Sequence, residues 1–109
     1  MKLPKLEPQS DNTFILLENY EILGIWIPAG FKTNGSNIPR LLWWWIPPFK
    51  PKYLPAVILH DWLTRDDTEV QFSYANNKFK EALQLIEKSI YTTSMYKAVE
   101  LYRILKNYK

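Results

Sequence analysis

Apolar and polar positions follow a strand-like pattern in the first third of the chain and a helix-like pattern in the second half. Thr13-Phe14-Ile15-Leu16-Leu17 reads as a strand, Glu18-Asn19-Tyr20-Glu21 as a hairpin turn, and Ile22 to Ile27 as the returning strand, interrupted by Gly24 and ended by Pro28-Ala29-Gly30. A lone hairpin is marginal in water, so this one must pack on helices or gain a further strand. Residues 1–12, rich in Pro and polar side chains, predict an irregular arm.

The next segment, Gly30 to Arg40, is a loop dense in Gly, Asn and Ser, residue types whose side chains bond nearby backbone groups. Ser36 or Asn37 can cap a short helix from Pro39 to Trp45, and Pro47-Pro48-Phe49-Lys50-Pro51 is a stiff extended connector. From Pro55 the pattern becomes helical. Pro suits the first helical position, where its missing N–H is unpaired anyway. Six of the eight residues from Ala56 to Leu63 are apolar and fall on every face of the helix, the mark of a buried helix. That helix ends near Thr64 or Arg65. Thr68 as cap, with Gln71 three residues on and acids in the first turn, predicts the start of the following helix. Its apolar stripe is Phe72, Ala75, Phe79, Ala82, Leu83 and Ile86, with Asn76 on the same stripe. A last helix from about Ser94 to Asn107 turns Met95, Ala98, Val99, Tyr102 and Leu105 inward. The expected fold is α+β: a small N-terminal antiparallel β element packed on three to four helices, with a central buried helix. Residues 1–109 form a single domain.

Composition narrows the chemistry. An apolar share of 47%, with 16% aromatic, supplies a core resting on rings as much as on aliphatic chains. The absence of cysteine excludes disulfides, thiolate nucleophiles and cysteine zinc sites, and implies a reducing or indifferent compartment. The longest apolar run, Leu41 to Pro48, is far too short for a membrane span, and the N-terminus has no apolar run of signal-peptide length. The net charge of +3 is spread evenly, with no polybasic block, which makes nucleic acid an unlikely partner.

His60, the single histidine, and Asp61 are the polar groups within the buried helix. Adjacent helical residues point about 100° apart, so the two cannot grip one atom together and each needs other partners. They read either as a general base with a carboxylate partner, or as a buried pair tying the loop and the next helix to the central one. Ser36 is a conceivable nucleophile with His60 as base, although nothing around it resembles a strand–turn–helix nucleophile elbow and capping is the ordinary role of such a loop serine. One histidine and no cysteine exclude a three-histidine or thiolate zinc site, and a magnesium or calcium site would want more carboxylates than Asp61. No metal or other cofactor is expected. Trp43, Trp44 and Trp45 are consecutive rings that cannot all face a core from a short helix; they read either as a surface for a protein partner or self-association, a ligand platform or an interfacial contact, or as an aromatic lid over a small core.

Three motifs carry a resemblance. Ile25 to Arg40, which holds Pro28-Ala29-Gly30-Phe31-Lys32-Thr33-Asn34-Gly35-Ser36-Asn37-Ile38-Pro39-Arg40, is similar in order and spacing to a pattern in a family of small tailed-phage and prophage proteins, catalogued as domain of unknown function thirteen-fifty-three. So are Ala56 to Leu63, with its His-Asp pair, and Ala75-Asn76-Asn77-Lys78-Phe79. The resemblance covers roughly residues 13–90 and brings no established activity. Where the family pattern has aspartates in the loop and on the later helix, this chain has Asn34 and Asn76. An amide accepts hydrogen bonds but cannot act as a base. The resemblance implies a phage or prophage protein of the host cytoplasm or the virion. The leading reading is that the polar cluster is structural or ligand-binding, a degenerate site, and that the chain binds another protein through Trp43 to Trp45, with Asn34, Asn76 and Arg40 as further binding residues. A small hydrolase using His60, Asp61 and Ser36 is the alternative. A weak nucleic-acid binder using Lys97, Arg103, Lys106 and Lys109 is the third reading.

Overall fold

Two consecutive left-handed backbone conformations decide where the N-terminal chain turns back. Leu23 has φ 53° and Gly24 φ 75°, the pair of positive angles that a two-residue hairpin turn requires. The computed structural model describes residues 2–10, 13–33, 51–65 and 69–109. In it, strands β3 (Tyr20–Ile22) and β4 (Ile25–Ile27) flank that turn and pair antiparallel, Tyr20 opposite Ile27 and Ile22 opposite Ile25. The hairpin turn therefore lies at Leu23-Gly24 and not at Glu18 to Glu21, and Gly24 closes the turn instead of interrupting a strand. Leu23 hides the signal, because its side chain packs against the core and holds in place a conformation that glycine usually takes.

The second sheet has strand order β1 (Leu6–Pro8), β2 (Phe14–Leu16), β5 (Lys32–Thr33), all antiparallel. β1 corrects the expectation of an irregular arm over residues 1–12. Leu17 N donates to Lys5 O at 2.8 Å and Gln9 N to Thr13 O at 2.9 Å, so backbone bonds extend the ladder at both ends. Pro8 is tolerated because β1 is an edge strand of this sheet. On the other side, Phe14 stands opposite Thr33, which sets Thr33 where β5 meets the first helix.

A 3-10 turn (Pro51–Tyr53) leads into α1 (Leu54–Leu63), followed by α2 (Phe72–Ile86) and α3 (Ile90–Leu105). The fold is α+β, as the pattern predicts. Every residue of α1 from Pro55 to Leu63 is buried except Trp62, which is half-buried. α1 packs on β4, β5 and α2, and α2 packs in turn on α3. One core runs through these layers, from Leu16 and Ile27 through Ile58 and Leu59 to Phe79, Met95 and Val99.

The helix ends differ from the sequence reading. α2 begins at Phe72 with Gln71 at the cap and no side-chain cap bond; Thr68, expected as the cap, lies outside the described residues with Asp66 and Asp67. α3 starts four residues before Ser94. Ser89 and Thr92 form a reciprocal capping box, in which Thr stands where Glu or Gln is usual. At its other end Asn107 adopts φ 59°, while Tyr108 N donates to Arg103 O and Asn107 N to Ile104 O, a Schellman cap. The tail so turned stacks Tyr108 on Phe72, ring centroids 4.4 Å apart. Leu105, expected on the inner face, is 74% exposed because it lies at the end of the last turn, beyond the buried Met95–Val99 stretch. The short helix expected over Pro39 to Trp45 and the connector Pro47 to Lys50 fall outside the described residues.

A polar tie holds the start of α1 to the α2–α3 link. The Glu87 carboxylate accepts from Lys52 Nζ, from Ser89 Oγ, and from Tyr53 Oη at 2.8 Å. These bonds, with Lys52 first, pull the Glu87 carboxyl down to about 2.

A Cβ added at Gly24 meets nothing within 4 Å, so only the backbone resists it. Gly24→Ala is expected to lower stability by about 1–2 kcal/mol, the cost of a left-handed conformation for an ordinary L residue, and Gly24→Asn by less. Urea midpoints measure both; an alanine variant as stable as the parent would show that the turn is not held as described.

Candidate functional site

His60 and Asp61 point to different neighbours, as adjacent positions on a helix must. Asp61 faces the sheet, where its Oδ2 accepts from the hydroxyl of Thr33. His60 faces α2, where its Nε2 lies 2.6 Å from Asn76 Oδ1. Its ring also packs on Phe79 at a centroid distance of 4.9 Å. The structure thus brings together His60, Asp61 and Asn76, singled out from sequence, with Thr33, the first residue of the Thr33–Ser36 stretch expected beside them, which it places at the end of β5. Asn34, Ser36, Arg40, Trp43, Trp44 and Trp45 lie outside the described residues.

The network continues beyond what the sequence reading found. Asn76 Nδ2 donates to Val99 O at 3.2 Å and to Glu100 Oε1 at 2.8 Å. Glu100 is held by Arg103 through two bonds, Nε to Oε1 at 3.0 Å and Nη2 to Oε2 at 2.9 Å. A chain of polar contacts therefore crosses the three helices from His60 through Asn76 and Glu100 to Arg103. Glu100 was missed because it neighbours the inner face of α3 without belonging to its apolar stripe; its spacing of three from Arg103 was the available signal. Arg103, one of the four basic residues of the nucleic-acid reading, pairs with Glu100.

The donor pattern settles the protons. Asn76 spends its amide hydrogens on Val99 and Glu100, so its oxygen faces His60 and His60 Nε2 is the donor. Burial pushes the imidazole below its ordinary value of 6.5, against smaller upward pulls from the Asn76 bond and the Asp61 charge. The ring is neutral at pH 7, with its basic lone pair on Nδ1. The Arg103 bond is the main cause that holds the Glu100 carboxyl below its ordinary value, aided by Asn76 and opposed by burial. Asn76 can orient the ring but cannot take its proton. Among the described residues, no three His, Asp or Glu side chains form a set that could hold a metal ion.

Two outcomes follow from this network. The unfolded chain protonates His60 below about pH 6.5, while the folded chain resists until lower pH. The unfolded state thus binds more protons in that window, and stability rises with pH at up to about 1.4 kcal/mol per unit. The contribution is fully present above pH 6.5 and is lost as pH falls toward the folded value. Thermal unfolding from pH 7 to 5.5 is expected to show a falling midpoint for the parent and a flatter profile for His60→Gln; the carboxylates with lowered values act below this window. Equal slopes would refute the assignment. In the second test, Asn76→Asp removes the amide donor and brings a second carboxylate against Glu100, for an expected loss of about 2–4 kcal/mol. Glu100→Gln supplies a donor to the new carboxylate and should recover part of that loss. A double-mutant cycle by urea unfolding is expected to give a coupling above about 1 kcal/mol; additive effects would mean that the two side chains do not meet.

No curated protein and no solved structure matches the chain. A family model described as "Protein of unknown function (DUF1353)" matches residues 14–99, which include Thr33, His60, Asp61, Asn76 and Val99 and stop just before Glu100. That match spans well over half of the 109 residues, and the chain belongs to this family.

Proposed function

We propose that this chain is a phage- or prophage-derived protein-binding module of the host cytoplasm or the virion, in which the His60–Asn76 cluster is a degenerate site that now serves to tie the helices together. The observation that carries the reading is the partner of His60. A histidine acting as a general base works best with a carboxylate to stabilise its imidazolium. Here the partner is an amide that accepts one hydrogen and donates its own to α3. Burial argues the same way, since His60 is 3% and Asp61 8% exposed, and a substrate needs access to the base. The phage or prophage origin rests on the resemblance of the three motifs. The proposed contact surface is Trp43-Trp44-Trp45, because three successive rings are too wide for one buried stripe and a stiffly held Trp anchors interfaces at small entropic cost.

The test replaces Trp43, Trp44 and Trp45 with Ser, one at a time. At least one variant is expected to lose self-association in sedimentation, or to lose a protein that co-purifies with the parent, while its unfolding midpoint stays unchanged. Retention of both properties in all three variants would remove the binding reading. Turnover of an ester or phosphoester probe by the parent, abolished in a folded His60→Gln variant, would establish the hydrolase in its place.

A further inference from the structure

A groove of about 600 Å³ lies between the C-terminal half of α2 and the first turns of α3. Lys80 and Gln84, one turn apart on α2, form one wall, Lys88 follows in the link to α3, and Thr93 and Lys97, one turn apart on α3, form the other. Tyr96 lies between the walls, and the buried Leu83 forms the floor. Among the described residues, no carboxylate lines the groove. The nearby acids among the described residues are committed elsewhere: Glu81 to Lys78, Glu87 to Lys52, Tyr53 and Ser89, and Glu100 to Arg103 and Asn76. Lys88 and Lys97 make no ion pair among the described residues, and the ammonium of Lys80 sits over the Tyr96 ring, 5.0 Å from its centroid.

We propose that this groove binds an acidic peptide segment of a partner protein, in which carboxylates flank an apolar side chain. Three cations with no ion pair among the described residues, set around a concave, low-dielectric surface, focus a positive potential into it. Carboxylates of an entering segment meet Lys80, Lys88 and Lys97. Gln84 and Thr93 offer donors and acceptors to its backbone, and the Leu83 floor and the edge of Tyr96 receive the apolar residue. A nucleic acid would instead use the face of Tyr96 to stack a base, and that face is taken by Lys80. The residues that give the groove its charge and its floor, Lys80, Leu83, Lys88 and Lys97, are separate from the Trp43 to Trp45 segment.

The probe is a short fluorescein-labelled peptide of alternating glutamate and leucine, followed by anisotropy with the full chain. A lysine–leucine peptide of equal length and a single-stranded oligonucleotide serve as comparisons. Saturable binding of the glutamate peptide is expected, weakened by added salt and by about tenfold or more when Lys88→Glu and Lys97→Glu are combined. The combination Lys106→Glu with Lys109→Glu, outside the groove, should change it less than about twofold. Thermal unfolding checks that both variants fold, and Lys88→Gln with Lys97→Gln serves if the reversal does not. Absence of saturable binding, equal binding by the groove variants, tighter binding of the oligonucleotide, or a self-association of the parent that the groove variants alone lose would each overturn the proposal.

Discussion

A helix that is apolar on every face can be buried only if its polar side chains find partners inside the protein. α1 carries two, His60 and Asp61, and an unmet polar group in such a place costs about 1–3 kcal/mol, more if it is charged. Much of the arrangement around α1 is the answer to that demand. Asp61 requires a donor from the sheet, and the hydroxyl of Thr33 supplies it from β5. His60 requires an acceptor from α2, and Asn76 supplies it. Asn76 must then satisfy its own two hydrogens, which reach α3. Apolar packing would let these elements slide by small amounts at little cost; the directed bonds set which residue of each faces α1.

Much of this was legible from residue order. The burial of α1 followed from its lack of a polar face, and the convergence of Asn76 on His60 followed from a polar residue lying on an apolar stripe. What was not legible has physical reasons. The β3–β4 turn was disguised because Leu23 takes a conformation normally signalled by Gly or Asn, and tertiary packing of its side chain, invisible in local sequence, holds it there. The start of α3 was missed because its capping box uses Thr92 in place of a longer acidic side chain. Strand β1 carries Pro8 and charged neighbours, and its pairing depends on β2, a long-range partner that local propensity does not encode.

The polar groups are also graded by depth. Asn76, which is 0% exposed, is neutral; His60, at 3%, is neutral too because burial lowers its proton affinity. Full charges on this network appear at its rim, where the Glu100 and Arg103 side chains are 21% and 24% exposed. This order follows the cost of desolvation, which is several kcal/mol for an ion without close compensation and far smaller for an amide. Asp61 departs from the order by being a buried carboxylate type, and it sits where a hydroxyl donor faces it directly.

Aspartate is the nearest substitute for Asn76 in size and shape, and the contacts of Asn76 show what that exchange would do. An aspartate at this position could accept from His60 but could not donate to Val99 O or to Glu100. It would set two carboxylates against each other at the deepest point of the network, and one of them would have to hold a proton or find a new cation. With the amide, Glu100 becomes an acceptor for α2 and stays ionised through Arg103. The residue at position 76 and the pair at 100 and 103 are therefore coupled choices. An amide at the centre makes a directional bond between α1 and α3, routed through α2, and leaves the full charges of this chain of contacts to Glu100 and Arg103 at its rim.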